Sequence, residues 1–256
     1  MSDPSATVRN ALVTGAARRI GRAIALRLAD ESYGLALHSS VRSAPEAEAL
    51  AADIRAAGGR AHVVTGDLGS ANDVVSLIAK ANAAIGPLAL LVNNASLYEP
   101  DVPGEFSSAF FDRMMAVNLR APLQLASDFA RALPDHQRGA IINIIDQKVW
   151  RLNPRYFSYT LTKSAFWTAT QTMAQAYAPR IRVNAVGPGP VLPNQLEGIA
   201  GFEKEAAAVP LGSSVTPDEI ADAVLYLVHA RSVTGQMVAV DGGQHLAWKT
   251  PDVPEH

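Results

Sequence analysis

The stretch Val8-Arg9-Asn10-Ala11-Leu12-Val13-Thr14-Gly15-Ala16-Ala17-Arg18-Arg19-Ile20-Gly21 opens the interpretable sequence. Its first half is a short apolar run of the kind that forms a buried strand, expected over 8–14. A helix is expected over 19–30, where Ile20, Ala23, Ile24 and Leu28 fall near helical spacing. The turn between them sits at a helix N-terminus, where unpaired N–H groups and the helix dipole favour an anion. Gly15 permits a tight turn and Gly21 a close helix–sheet approach, so a pyrophosphate fits there. An ordinary strand–helix turn is the alternative; its place as the first βα turn of an alternating chain favours dinucleotide binding.

Outward from this turn the alternation continues. Strands are expected over 35–38, 61–65, 88–92, 140–145, 181–186 and 237–240. Helices are expected from Pro45 to the pair Gly58-Gly59, over 72–85, over 107–133 with a break near 118–122, and over 157–177. A further helix over 217–229 has Thr216 as N-cap, backed by Glu219. About seven parallel strands with helices on both faces make an α/β, doubly wound single domain over 1–256. Residues 188–214 show no clean period and are expected to be a substrate loop.

Composition excludes several function classes. The 256 residues are 48% hydrophobic and 18% charged, enough for a large core. A formal net charge of -2 gives no electrostatic footprint for nucleic acid or an anionic membrane. The charge-free stretch 81–98 carries Gly, Pro and paired Asn, so no membrane span is expected. Cysteine is absent, which excludes disulfides, thiolate metal sites and cysteine nucleophiles. His62, His136, His229 and His245 are scattered, and no metal site is expected. Asp3 and Pro4 stand early and no apolar run follows a basic cluster, so no signal peptide is expected and the expected location is cytoplasmic.

Cofactor choice is read after the second strand. A nicotinamide site that prefers NAD places an acid about 20 residues beyond the glycine turn. Here His38-Ser39-Ser40-Val41-Arg42-Ser43 has no acid. Arg42 can clamp a 2′-phosphate, with Arg18 and Arg19 adding charge, so NADP(H) is expected. A solvated loop charge is the alternative for Arg42.

At the other end, Tyr159-Thr160-Leu161-Thr162-Lys163 puts a phenol and an ammonium on one helical face. A phenol titrating near 10 is a poor acid at neutral pH, and the ammonium is expected to lower it. Asp146 ends the fifth strand, where ligands sit in an open parallel sheet. Lys148, Trp150 and Arg151 follow at the rim with roles left open. Trp167 and Met173 are expected to serve packing or a subunit contact.

Thr14 to Gly21, Asp67, Asn93-Asn94-Ala95, Asn118, Tyr159/Lys163 and Pro188-Gly189 together resemble the ordered motifs of the short-chain dehydrogenase/reductase family, across about 8–243. The resemblance implies a Rossmann-type domain, a nicotinamide cofactor, a small-molecule substrate and a homotetramer or dimer. It implies Asp67 near the adenine, with Leu68 beside it, and Asn94, Ala95 and Ser96 along the cofactor cleft. Gly15, Arg18, Arg19, Ile20, Gly21, His38, Arg42 and Ser43 complete the cofactor set, with Pro188 and Gly189. It implies Asn118 holding a relay water, Tyr159 as acid and Lys163 on the nicotinamide ribose.

Two departures narrow this. Arg19 stands for the family's middle loop glycine, and Asp146 for its usual serine. Both resemble the pteridine and dihydromonapterin reductases, as does Ser96 after Asn93-Asn94-Ala95. That subgroup implies Arg19, Ser96, Tyr98, Asp146 and Tyr159 around the substrate, with Tyr98 stacking on a pterin. A carboxyl at 146 suits reduction of C=N, which needs a proton at nitrogen. Three functions stay open at this point: a pterin reductase, a ketone or 3-oxoacyl reductase, and a non-catalytic NADP-sensing module.

Overall fold

The structure is a computed structural model and describes residues 9–193 and 198–248. Val8, Asp3, Pro4 and the loop residues 194–197 lie outside the described residues.

The strands are β1 (Asn10–Val13), β2 (Gly34–Ser39), β3 (Arg60–Thr65), β4 (Leu90–Asn93), β5 (Gly139–Ile144), β6 (Ile181–Pro188) and β7 (Met237–Val240). They form one parallel sheet in the order β3-β2-β1-β4-β5-β6-β7. The chain runs outward one way from β1 and the other way from β4. That reversal opens a crevice at the carboxyl ends of β1 and β4, the position of ligand sites in such sheets. The expected α/β Rossmann-type architecture is the one observed.

Helices α1 (Arg19–Asp30), α2 (Ala44–Ala56), α3 (Ala71–Ile85), α4 (Ser108–Met115), α5 (Ala121–Ala132), α6 (Phe157–Tyr177), α7 (Gly198–Ala207) and α8 (Pro217–His229) connect the strands. Strand side chains alternate between two cores. Ala11 and Val13 pack with Ile24 and Leu28 of α1 and Val224 of α8. Leu12, between them, packs with Leu77 of α3, Phe129 of α5 and Phe166 of α6. Both faces of the sheet are therefore dry, which is why its strands read as continuous apolar runs.

Two expectations are revised. The break in the 107–133 helix is a π-helical turn, Ala116–Arg120, inserted between α4 and α5. The 188–214 segment is not irregular throughout, since it contains α7. Only Ala206 of α7 is buried, and the helix opens Gly198-Ile199-Ala200-Gly201, which reads as loop in the sequence. At α8, Thr216 and Glu219 form the expected reciprocal cap.

Candidate functional site

A cavity of about 540 Å³ occupies the crevice at the carboxyl ends of the strands. Its first wall is the turn after β1. Gly15 has φ +64 and its hypothetical Cβ would meet Ala95 at 3.1 Å. A Cβ on Gly21 would lie 2.1 Å from the Gly15 carbonyl oxygen and 2.6 Å from Asn94 Nδ2, so only glycine fits. Asn94 Nδ2 donates to the carbonyls of Thr14 and Gly15, at 2.8 and 3.2 Å. Thr14 Oγ1 accepts from the N–H groups of Asn94 and Ala95. The turn is thus clamped from beneath by the chain leaving β4.

The N-terminus of α1 has no capping side chain at Arg18 and no acid in its first turn. Its free N–H groups face the cavity wall formed by Arg18, Arg19, Ile20 and Gly21. This fits an incoming pyrophosphate. Arg19 takes φ +54, a left-handed conformation rarely adopted by a long side chain. Its guanidinium donates to the carbonyls of Pro193 (3.0 Å) and Leu192 (3.3 Å), joining the turn to the segment that follows β6.

The second wall is the end of β2. His38 is buried, and its Nδ1 accepts from the Gly15 N–H at 3.2 Å. Its Nε2 lies 3.1 Å from the Gly66 carbonyl, so the proton resides on Nε2 and is donated there. Burial pushes the imidazole down to about 4, against the Gly66 hydrogen bond. Ser43, Asp67 and Leu68 line the cavity beside it. Arg42 is exposed on the short turn between Ser40 and Ser43 and does not line the cavity itself.

The third wall carries the polar chemistry. Asp146 follows β5 and caps the short 3₁₀ turn Gln147–Val149, its Oδ1 accepting from the Lys148 N–H at 2.8 Å. Its Oδ2 accepts from the Tyr159 hydroxyl at 2.9 Å. Lys163, one turn on along α6, donates to the Ile144 carbonyl at 2.8 Å and lies 5.6 Å from the Tyr159 ring centre. The expected lowering of the Tyr159 phenol is not found. Burial, the adjacent Asp146 charge and its hydrogen bond hold the phenol well above its usual value. Burial instead brings Lys163 down to about 8, opposed by Asp146.

Tyr98 makes the roof. It stacks on Tyr156 at 4.2 Å and 10°, and meets the Tyr159 ring edge-on at 4.8 Å. Tyr156 covers one face, leaving Tyr98, 36% exposed, to present the other to the cavity. The Tyr98 segment is tied to α6 by Asp101. Its carboxylate accepts from the Ser158 N–H (3.0 Å) and hydroxyl, and its carbonyl from the Phe157 N–H. Asp101 does the work of an N-cap for α6, whose own N-cap residue Tyr156 has φ +58 and provides none.

The expected cofactor and substrate residues converge, with two exceptions. Gly15, Arg18 to Gly21, His38, Ser43, Asp67, Leu68, Asn94 to Ser96, Tyr98, Asp146, Tyr159, Lys163, Pro188 and Gly189 all line one cavity. Arg42 stands outside it. Asn118 sits behind its wall, fully buried on the π-helical turn. The Asn118 amide is saturated. Oδ1 accepts from Leu97 N–H and the Ser96 hydroxyl, and Nδ2 donates to the Leu97 carbonyl and to Thr162. Its side chain braces the 95–98 segment rather than reaching the cavity. Sequence reasoning gave no role to Lys148, and did not single out Phe202, Glu205 or Gln244, all of which line the cavity. Trp150 packs between Trp167 and His245. Among the described residues no cluster could hold a metal ion, and no helix is long and apolar enough to cross a membrane.

Residues 15–245 match the sequence model of a family described as Enoyl-(Acyl carrier protein) reductase. The chain is similar to an uncharacterized oxidoreductase of Methylorubrum extorquens, 36% identical over 91% of this chain and 96% of the relative. It is 30% identical to the 3-oxoacyl-[acyl-carrier-protein] reductase FabG of Staphylococcus aureus, over 93% of this chain and 98% of that one. Among solved structures, FolM alternative dihydrofolate reductase 1 from Brucella canis, complexed with NADP, superposes with a TM-score of 0.93. It is 50% identical, covering 96% of this chain and 97% of that chain.

Proposed function

Because the chain belongs to the short-chain dehydrogenase/reductase family, as an NADP-dependent enzyme of it, we propose that it reduces a pterin-like ring of the dihydropterin or dihydrofolate class. The observation that carries this reading is the Tyr159–Asp146 pair lying against an aromatic roof, Tyr98 on Tyr156. A flat heterocycle gains a stacking surface there, and a carboxylate accepts from the donor-rich amino-pyrimidine edge. Similarity to the FolM chain supports the same reading.

In this reading Arg18, Ile20 and Gly21 meet the pyrophosphate through backbone N–H groups, with Arg19 nearby. Arg42 and Ser43 hold the 2′-phosphate, Asp67 and Leu68 flank the adenine, and Lys163 holds the nicotinamide ribose. Asn94, Ala95, Ser96, Pro188 and Gly189 form the remaining cleft, and His38 fixes the turn from below. NADPH, when bound, supplies the hydride to a ring carbon of the C=N bond. The electron pair of that bond passes to the ring nitrogen, which takes the Tyr159 proton. The nitrogen so formed is strongly basic, so a phenol held neutral by burial still serves as donor. The Lys163 ammonium offsets the phenolate, and Asp146 returns a proton from solvent to the Tyr159 oxygen. Residues 188–214 are read as the loop that shapes the substrate end. The same reading carries a cytoplasmic homotetramer, whose mass light scattering would give.

The test is NADPH oxidation with dihydrobiopterin, dihydromonapterin and dihydrofolate, set beside simple ketones and a 3-oxoacyl thioester. Turnover of a pterin that disappears in Tyr159→Phe, with NADPH affinity kept, is expected. Activity with ketones or thioesters alone would replace this reading with that of a carbonyl reductase.

A further inference from the structure

Resting on that reading, we propose that Lys148 is an anion-binding residue of the substrate end and receives a carboxylate carried on the substrate's side chain. Lys148 is only 9% exposed, yet it lines the cavity. Its Nζ lies 5.5 Å from the ring centre of Tyr98 and 5.8 Å from that of Tyr156. The two rings are themselves 4.2 Å apart and nearly parallel. A point almost equidistant from both centres lies beside the stack, next to ring edges rather than over an outer face. Ring edges carry the positive end of the aromatic quadrupole, so they do not compensate an ammonium.

Among the described residues Nζ makes no ion pair and donates no hydrogen bond, so its donors are open to the cavity. The nearby charged groups hydrogen-bond to other partners, and none to Nζ. Lys163 donates to the Ile144 carbonyl. Asp146 accepts from the Tyr159 hydroxyl and the Lys148 backbone N–H. Glu205 accepts from the Gln244 amide at 2.8 Å. An ammonium with open donors on a cavity wall gains a charge-assisted bond from a ligand anion. The hydrogen bond from its own backbone N–H to Asp146 also fixes Lys148 relative to the acid–base pair. A planar ring on the open face of Tyr98 brings its rim toward Nζ, so the group reached is a substituent and not the reacting bond. The site therefore prefers a carboxylated side chain, as in dihydrofolate, over a neutral hydroxylated one, as in dihydrobiopterin.

The test is calorimetric titration of the NADP⁺-loaded protein with folate and with biopterin, neither of which NADP⁺ can reduce. Lys148→Met is expected to weaken folate about tenfold or more, as loss of a charge-assisted bond does, and biopterin less than about twofold. Lys148→Arg should restore folate, and NADP⁺ affinity should be unchanged in both variants. Equal weakening of the two ligands, or of neither, would overturn the assignment. If the wild type binds neither, the pterin reading fails instead. Lys148 is then judged on turnover of acetoacetate against ethyl acetoacetate: a loss confined to the acid upholds it, and an equal or absent loss overturns it.

Discussion

The Tyr159 hydroxyl donates to the Asp146 carboxylate at 2.9 Å, and this contact adds to burial in holding the phenol neutral. Asp146 favours the neutral phenol and also favours the charged form of Lys163, which burial alone would lower further. Lys163 is thus an ammonium below about 8 and loses its proton above it. If the reaction needs that charge, kcat/KM for reduction should fall as pH rises through about 8. Asp146→Asn removes the supporting charge, so the alkaline limb should move to lower pH. An unmoved limb in a pH–rate profile would separate Lys163 from this pair.

Arg42 stands just outside the cavity, on the turn that follows β2. In the proposed role it meets only the 2′-phosphate. Arg42→Ala should raise the Kd for NADPH by roughly tenfold or more, the size of one charge-assisted hydrogen bond, and leave NADH within about twofold. Fluorescence titration with both cofactors checks this, and equal losses would remove the clamp.

Asp101 should matter beyond its distance from the chemistry. It links the Tyr98 segment to the first turn of α6, next to Tyr159. Asp101→Ala should cost about 1–2 kcal/mol of stability, as lost helix caps do. It should also raise KM for the ring substrate more than it raises the Kd for NADPH. Thermal unfolding together with steady-state kinetics tests both halves, and Asp101→Asn, which keeps an acceptor, should recover part of each.

His38 predicts an acid weakness. Its imidazole titrates at about 4 in the folded chain, below its ordinary value of 6.5, because burial opposes the charge. The folded state therefore binds fewer protons than the unfolded one between those values. Stability from the neutral ring is complete above about 6.5 and is lost as pH falls toward 4, by up to about 3 kcal/mol. His38→Phe should lose most of that slope. Denaturant unfolding at pH 7, 5.5 and 4.5 for both proteins measures it.

The fold was legible because each element obeys one local rule. Strands buried on both faces read as unbroken apolar runs, and the turn at Gly15 and Gly21 marks where they begin. Asp146, Tyr159 and Lys163 were legible through spacing, since a strand end and one helical face suffice to bring them together. What escaped needs distant partners. The saturation of Asn118 depends on the Leu97 backbone, and the elevated phenol depends on burial and on Asp146. Glu205 and Phe202 reach the cavity from α7, a short helix whose glycines, Gly198 and Gly201, read as loop.

The π-helical turn at Ala116–Arg120 holds one residue more per turn than the helices it joins. Removing one residue there would let the turn relax to regular α-helix, with Met114 of α4 and Leu125 and Phe129 of α5 kept in register. What would move is Asn118 on the turn itself, and with it the brace under Leu97. The surplus residue thus serves the wall of the cavity rather than the packing of the two helices, and a single-residue deletion here should cost more in ligand binding than in stability.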